Sequence, residues 1–263
     1  MALPTLFIGH GSPMNAIEEN SARRSWQSIA EQIPRPKSVL CISAHWETKG
    51  LCVTNSSTPE TIHDFSGFPQ ALFDLQYPAP GNPTLACRIS TLLDPEPVRL
   101  DDSRGLDHGA WSILMAMYPN ANIPTVQLSL DMTKSPEIHY DLAKRLAPLR
   151  DEGVLVIGSG NIVHNLGVFL THGHINFNWA KRFNEAAKRC IASKNHRELI
   201  KFEQLDSEAK LSVPTLEHFL PVLYPLALQR SEEFVSFFGD AEPKSFFMTS
   251  FIIGAAYKIK PKG

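Results

Sequence analysis

Val154-Leu155-Val156-Ile157-Gly158-Ser159-Gly160-Asn161 is a run of four apolar residues, three of them β-branched, that breaks off into glycines and small polar groups. Branching at Cβ stiffens χ1 and suits a pleated strand better than a helix. An apolar run with no polar alternation reads as a strand buried on both faces, the kind found in sheets covered by helices on two sides. The same pattern recurs outward from this stretch. Leu6-Phe7-Ile8 runs into Gly9-His10-Gly11, and Val39-Leu40-Cys41-Ile42-Ser43 runs into Ala44-His45-Trp46. Thr125 to Leu130 is another strand candidate, and Phe246 to Ile253 is the last.

Amphipathic stretches lie between these runs. Pro136 to Arg150 follows Ser135 and carries basic residues late, which are start and stop signals of a helix. Phe177 to Ser193 is amphipathic, and Thr215 to Leu228, after Pro214, predicts a third helix. Alternating strands and helices predict an α/β fold. Residues 55–82 are rich in proline, glycine and aromatics without periodicity and read as a long ordered loop, a feature often tied to function. With no repeat and no linker, residues 1–263 are expected to form one catalytic domain, its sheet flanked by helices on both faces.

Composition narrows the function classes. The 25 basic and 27 acidic residues leave a net charge of −2, with no basic stripe for nucleic acid. No apolar run reaches the ~18 residues of a membrane span, and the N-terminus lacks the basic and apolar regions of a signal peptide. Cys41, Cys52, Cys87 and Cys190 are scattered and form no C-x-x-C pair. These features predict a cytoplasmic protein in a reducing compartment, so the sequon Asn55-Ser56-Ser57 is set aside.

The histidines carry the chemistry. His10 and His45 each directly follow a strand, and in α/β sheets ligand sites form at the carboxyl ends of strands. His10 lies between two glycines that allow close backbone approach. His164 follows the Gly158–Asn161 turn, His108 lies in Leu106-Asp107-His108-Gly109-Ala110-Trp111, His63 in Ile62-His63-Asp64-Phe65, and His218 after Glu217. Two histidines ending two strands can reach one crevice. His139, His172, His174 and His196 stand in polar or helical contexts and read as structural or surface residues, the His172-x-His174 pair included. Imidazole suits zinc, iron, copper and nickel. No H-E-x-x-H, phosphate-loop or G-x-S-x-G motif is present, and Gly158-Ser159-Gly160 has neither elbow spacing nor a following lysine.

Five motifs occur in order: Gly9-His10-Gly11-Ser12-Pro13-Met14, Ser43-Ala44-His45-Trp46, Ile62-His63-Asp64-Phe65-Ser66-Gly67-Phe68-Pro69, Leu106-Asp107-His108-Gly109-Ala110-Trp111 and Gly158-Ser159-Gly160-Asn161-Ile162-Val163-His164-Asn165. From about Leu3 to Leu226 the chain resembles the class III extradiol ring-cleaving dioxygenases, specifically the branch similar to 4,5-DOPA dioxygenases. The resemblance implies a mixed, mostly parallel α/β sheet, one divalent metal ion, Zn(2+) or Fe(2+), and O2-dependent opening of a small aromatic diol such as L-DOPA. It aligns His10 and His45 with the N-terminal metal ligands and His164 with an acid/base histidine or further ligand. His108 aligns with a catalytic-pocket histidine, and His218 falls where the last ligand is expected.

Many members use a glutamate as last ligand, which leaves Glu217 and His218 as rivals. On a helix adjacent residues point about 100° apart, so only one faces the metal. A wheel over Leu216, Phe219, Leu220, Val222, Leu223 and Leu226 puts His218 nearer the apolar side. Aromatic residues from Phe65 to Tyr77 could stack on a planar ring. A three-histidine site also suits zinc-dependent hydrolysis, and a non-catalytic metal-binding or ligand-binding protein on the same fold is the third reading.

Overall fold

The computed structural model describes residues 2–171, 177–239 and 248–254. The His172-x-His174 pair and residues 246–247 of the expected last strand lie outside the described residues. The six strands of the main sheet are β1 (Thr5–Gly9), β2 (Ser38–Ser43), β3 (Thr125–Gln127), β4 (Val154–Gly160), β5 (Phe234–Phe238) and β6 (Ser250–Gly254). They lie in the order β3-β2-β4-β1-β6-β5. The first four are parallel; β6 and β5 add antiparallel strands on one side. The fold is α/β with a mixed, mostly parallel sheet.

Successive residues on each strand feed opposite cores. Phe7, Leu40, Ile42, Val156 and Phe251 join one apolar cluster, whereas Leu6, Ile8, Val39, Cys41, Ile157 and Ile252 join the other. Both faces are therefore covered. The main helices are α1 (Ser21–Gln32), α2 (Pro83–Leu93), α3 (His108–Met117), α4 (Pro136–Arg145), α5 (Asn178–Ala192) and α6 (Leu223–Ala227). Side chains of α1 and α3, such as Trp26 and Trp111, pack in the second cluster; those of α2, α4 and α5, such as Ile89, Leu142 and Phe183, pack in the first. Among the described residues no helix is long and apolar enough to cross a membrane. The four cysteines are free thiols.

Proline redraws two expected helices. A proline removes an N–H and its ring clashes with the carbonyl four residues earlier. The helix expected from Pro136 to Arg150 ends at Arg145, and a separate turn, Pro148–Asp151, begins with the next proline. No helix runs from Thr215 to Leu228: residues 214–219 are bends and turns, followed by a 3-10 turn at Leu220–Val222 and the short α6. Pro221 cannot sit inside a regular helix that includes Glu217. The helical-wheel comparison of Glu217 with His218 therefore loses its premise. The stretch expected as one strand from Thr125 to Leu130 divides into β3 and a two-residue segment, Leu130–Asp131, paired with Glu47–Thr48. The 55–82 loop is as expected, holding one helical turn at Gln70–Phe73.

A buried ion pair ties the sheet to the chain returning to β5. The Arg150 guanidinium is 1% exposed and donates to Leu3 O at 2.8 Å, Leu228 O at 2.6 Å and Glu233 Oε2 at 2.8 Å, with a further contact to Glu233 Oε1. Removing one partner strands a charge in a low-dielectric setting, which costs about 3–5 kcal/mol. Glu233→Ala is expected to lower the unfolding free energy by that amount, read as a lower urea midpoint with an unchanged m-value. A loss below about 1 kcal/mol, the range of exposed pairs, would show that the pair is solvated in solution.

Candidate metal centre and catalytic site

Parallel strands end on the same edge of a sheet, and the register aligns Gly9 with Gly160 and Ser43 with Ser159. The residues just beyond β1 and β2 are therefore neighbours. His10 is 2% exposed, and its Nε2 lies 3.1 Å from Nε2 of His45. His218 arrives from the turn after Pro214. Its carbonyl accepts from Asn161 N–H at 2.9 Å, which fastens that turn to the end of β4. One ring nitrogen from each of His10, His45 and His218 lies within 4.8 Å of the others. Ring centroids of His218 stand 5.4 Å from His10 and 5.1 Å from His45.

The opposite nitrogens face acceptors. Ser159 Oγ donates to Gly109 O at 2.6 Å, so at 2.9 Å it accepts from His10 Nδ1–H. Glu217 Oε1 accepts from His218 Nδ1–H at 3.0 Å, and Asp64 Oδ2 lies 3.6 Å from His45 Nδ1. The bonds to Ser159 and Glu217 assign the tautomers of His10 and His218: with Nδ1 protonated, the lone pair of each of these two rings resides on Nε2. Two Nε2 lone pairs at 3.1 Å repel unless a proton or cation lies between them. The donor set thus fits a divalent metal of the kind imidazole binds.

Electrostatics points the same way. Burial, then the neighbouring histidines, push His10 well below the ordinary value of 6.5; His45 is pushed down in the same way, Asp64 only partly opposing. Burial also lowers His218, against the opposing pull of Glu217. Neutral rings are the state that metal binding requires. For Glu217, burial works upward, but the hydrogen bond from His218 and others outweigh it and hold the carboxyl at about 2.

His164 stacks face to face on His218, with ring centroids 3.4 Å apart and planes 9° apart. Burial, then proximity to His218, lower it to about 3. His108 begins α3, whose N-cap Asp107 accepts from Ala110 N. Its ring centroid is 3.9 Å from that of His45 and 5.7 Å from that of His10. All five histidines expected at the site are thus gathered in one place. His63 is not among them: its Nε2 meets Leu75 O at 3.0 Å and its ring packs near Trp111. His139 is fully buried between Tyr224 OH and Asp131 O, a structural role, and His196 Nδ1 meets Tyr140 OH at 2.8 Å. Phe65 stands edge-on to His108 at 5.6 Å, but Tyr77 is 2% exposed and donates to Tyr118 O, so it offers no stacking face.

Three polar residues escaped the sequence reading. Asp64 and Ser159 lie beside histidines and glycines whose chemistry is more legible in the sequence than their own. Asp107 is fully buried and accepts from Ser43 Oγ at 2.7 Å and Gln127 Nε2 at 2.8 Å. The cue for Asp107 was its position just before a helix, the N-cap signature.

A family model described as the catalytic LigB subunit of aromatic ring-opening dioxygenase matches residues 4–238. The chain belongs to the LigB family. It is an extradiol aromatic ring-opening dioxygenase, similar to the 4,5-DOPA dioxygenase extradiol of Escherichia coli K12 at 48% identity over 237 residues, 88% of this chain and 87% of that protein. The Beta vulgaris protein of the same description is 42% identical over 224 residues, 83% of this chain and 84% of its own length. A crystal structure described as an uncharacterized E. coli K12 protein superposes with a TM-score of 0.83 at 40% identity, covering 96% of this chain and all of that one. Membership in the LigB family implies a metal cofactor, an aromatic substrate and O2.

The LigB site depends on glycines where elements press together. A Cβ on Gly160 would lie 2.2 Å from His218 O, and one on Gly109 would lie 2.3 Å from Ser43 Oγ and 3.0 Å from His45 Cδ2. Gly160→Ala is expected to cost about 1–3 kcal/mol of stability by overpacking and to weaken zinc uptake as the His218 turn is pushed off the strand. Gly167→Ala, whose Cβ among the described residues meets Asn165 Oδ1 at an ordinary 3.6 Å, is the control expected to be near neutral. Equal zinc titrations for Gly160→Ala and wild type would show that the turn moves without affecting the site.

Proposed function

We propose that this enzyme opens the ring of a catechol such as L-DOPA with O2, beside the two hydroxyls, and that residues 1–263 act as one catalytic domain. In this reading His10, His45 and His218 hold one divalent ion, Zn(2+) or Fe(2+), with Glu217 behind His218. The observation that carries it is the convergence of three ring nitrogens within 4.8 Å, each ring backed by an outward acceptor. A carboxylate already engaged by His218 Nδ1 and Thr215 Oγ1 favours Glu217 as orienter over ligand. The bound ion would act as a Lewis acid toward the catechol oxygens and, as Fe(2+), pass electron density to O2.

The chain's own groups do the remaining work. His164 is neutral at pH 7, and as a weak base its ring would take a proton from a catechol hydroxyl that the ion has made acidic. Its depressed value makes the protonated ring a strong acid that gives the proton back readily. Stacking on His218 keeps that ring beside the reacting oxygens. His108 and Phe65 form the wall on the other side. The burial of His10, His108 and His218 keeps bulk water out. A zinc-dependent hydrolase draws support from the same three-histidine donor set. The LigB relationship favours oxygenation.

The deciding measurement is oxygen consumption with L-DOPA after anaerobic Fe(2+) loading, with formation of the ring-opened product followed optically. Stoichiometric O2 uptake is expected; turnover that persists without O2 would favour hydrolysis.

Site variants separate the roles. His218→Ala is expected to empty the site, whereas Glu217→Ala retains the metal with about 10–100-fold weaker affinity. His164→Ala is expected to keep its metal and lose about 10²–10⁴-fold in kcat. Metal content of the purified variants checks each assignment. Parallel loss of metal and turnover in His164→Ala would make His164 a ligand.

A further inference from the structure

Asp64 sits in the long loop, yet its side chain is only 20% exposed and its two oxygens are unequally shared. Oδ1 accepts two hydrogen bonds from one residue, His108: the backbone N–H at 2.9 Å and ring Nδ1–H at 2.9 Å. Oδ2 faces His45 Nδ1 at 3.6 Å. Gripping main chain and ring through the same oxygen removes the rotational freedom of His108. The next residue, Phe65, sets its ring edge-on against the same imidazole, 5.6 Å away. One dipeptide thus holds the His108 ring from two sides, while His45 lies 3.9 Å away on a third.

A purely structural explanation would make Asp64 a helix cap. The N-terminus of α3 exposes N–H groups that need acceptors, and a carboxylate there is favoured by the helix dipole. Yet α3 already has its cap in Asp107, which accepts from Ala110 N. Capping also gives no reason for the same oxygen to bind the His108 ring. An acceptor on Nδ1–H does to a histidine what a tautomer choice does: it leaves Nε2 as the nitrogen with the lone pair.

We propose that Asp64 is a positioning residue for ring opening, which orients His108 and keeps its proton on Nδ1 so that Nε2 meets the catechol as a hydrogen-bond acceptor. This rests on the catechol reading of the site. The substrate group that matches an Nε2 acceptor is a hydroxyl on the ring. A substrate lacking that second hydroxyl, a monophenol, would leave the acceptor without a partner, at a cost expected of buried polar groups.

The test uses full-length zinc-loaded protein and long-range proton–nitrogen NMR of the imidazoles, with Asp64→Ala, Asp64→Asn, His108→Ala and the Asp64→Asn/His108→Ala double variant. The His108 ring is expected to carry its proton on Nδ1 in the wild type and to populate both tautomers in Asp64→Ala. With Fe(2+) and L-DOPA, Asp64→Asn is expected to lower kcat about 10–100-fold. In the His108→Ala background the same substitution should change kcat by no more than about twofold, since the two act as a unit. An unchanged His108 tautomer in Asp64→Ala, with only the melting temperature lowered, would leave Asp64 as a helix cap and overturn the proposal. An undiminished kcat loss in the His108→Ala background would overturn it as well. Absence of any ring opening in the wild type would instead defeat the catechol reading, and the NMR result would stand apart from it.

Discussion

Lone pairs that point at one another must be compensated, and much of this molecule is arranged around that constraint. His10, His45 and His218 bring ring nitrogens within 4.8 Å in a setting where desolvation removes water as a partner. Protonating the rings is no remedy, because buried like charges repel and desolvation disfavours each one. The arrangement becomes favourable when each Nδ1–H has an acceptor facing away from the centre and a cation takes the lone pairs. Ser159 and Glu217 supply that acceptor for His10 and His218, and Asp64 faces the corresponding nitrogen of His45. The acceptors come from β4, from the turn after Pro214 and from the long loop, so three separate parts of the chain must be in place before the cluster is stable.

The sheet meets this demand through direction. Strands β1, β2 and β4 run parallel and end together, so the residues beyond them share one edge. Gly9 and Gly160, aligned in register, and Gly109 leave room for close approach. Ser159 shows the economy of this edge. As the residue of β4 aligned with Ser43, it binds both His10 Nδ1 and Gly109 O, and so connects two strand ends to the start of α3.

The strands were legible because apolar β-branched runs ending in glycine carry strand, burial and direction in a few adjacent residues. His10 and His45 were legible for the same reason: their place follows from the strand they terminate. His218 was legible only through resemblance, because its place depends on a turn shaped by prolines and on the Asn161 N–H to His218 O bond, both non-local. The wheel argument failed there since Pro221 breaks the periodicity it assumed. Asp64 was hidden differently. Its partners, His108 and His45, lie 44 and 19 positions away in the sequence, and a carboxylate in an aromatic loop gives no local sign of what it accepts from.

The histidines reach the site on two kinds of support. His10 and His45 hang from strand ends in the centre of the sheet, and His108 opens a helix packed beneath them. His164 and His218 lie on connecting segments, where their stacked rings, the His218 Nδ1–H bond to Glu217 and the backbone bonds His164 N to Ser212 O and Asn161 N to His218 O help to hold them. Strand ends resist displacement because moving one breaks a ladder on both sides, whereas a connecting turn outside the ladders can shift at lower cost. If the ligands and the base divide as proposed, the strand ends supply two ligands, the turn adds the third through His218, and His164, in the more compliant half, carries the proton. A proton carrier must approach one oxygen and then another, so some compliance in that half suits the chemistry, provided the stack keeps the ring from turning away.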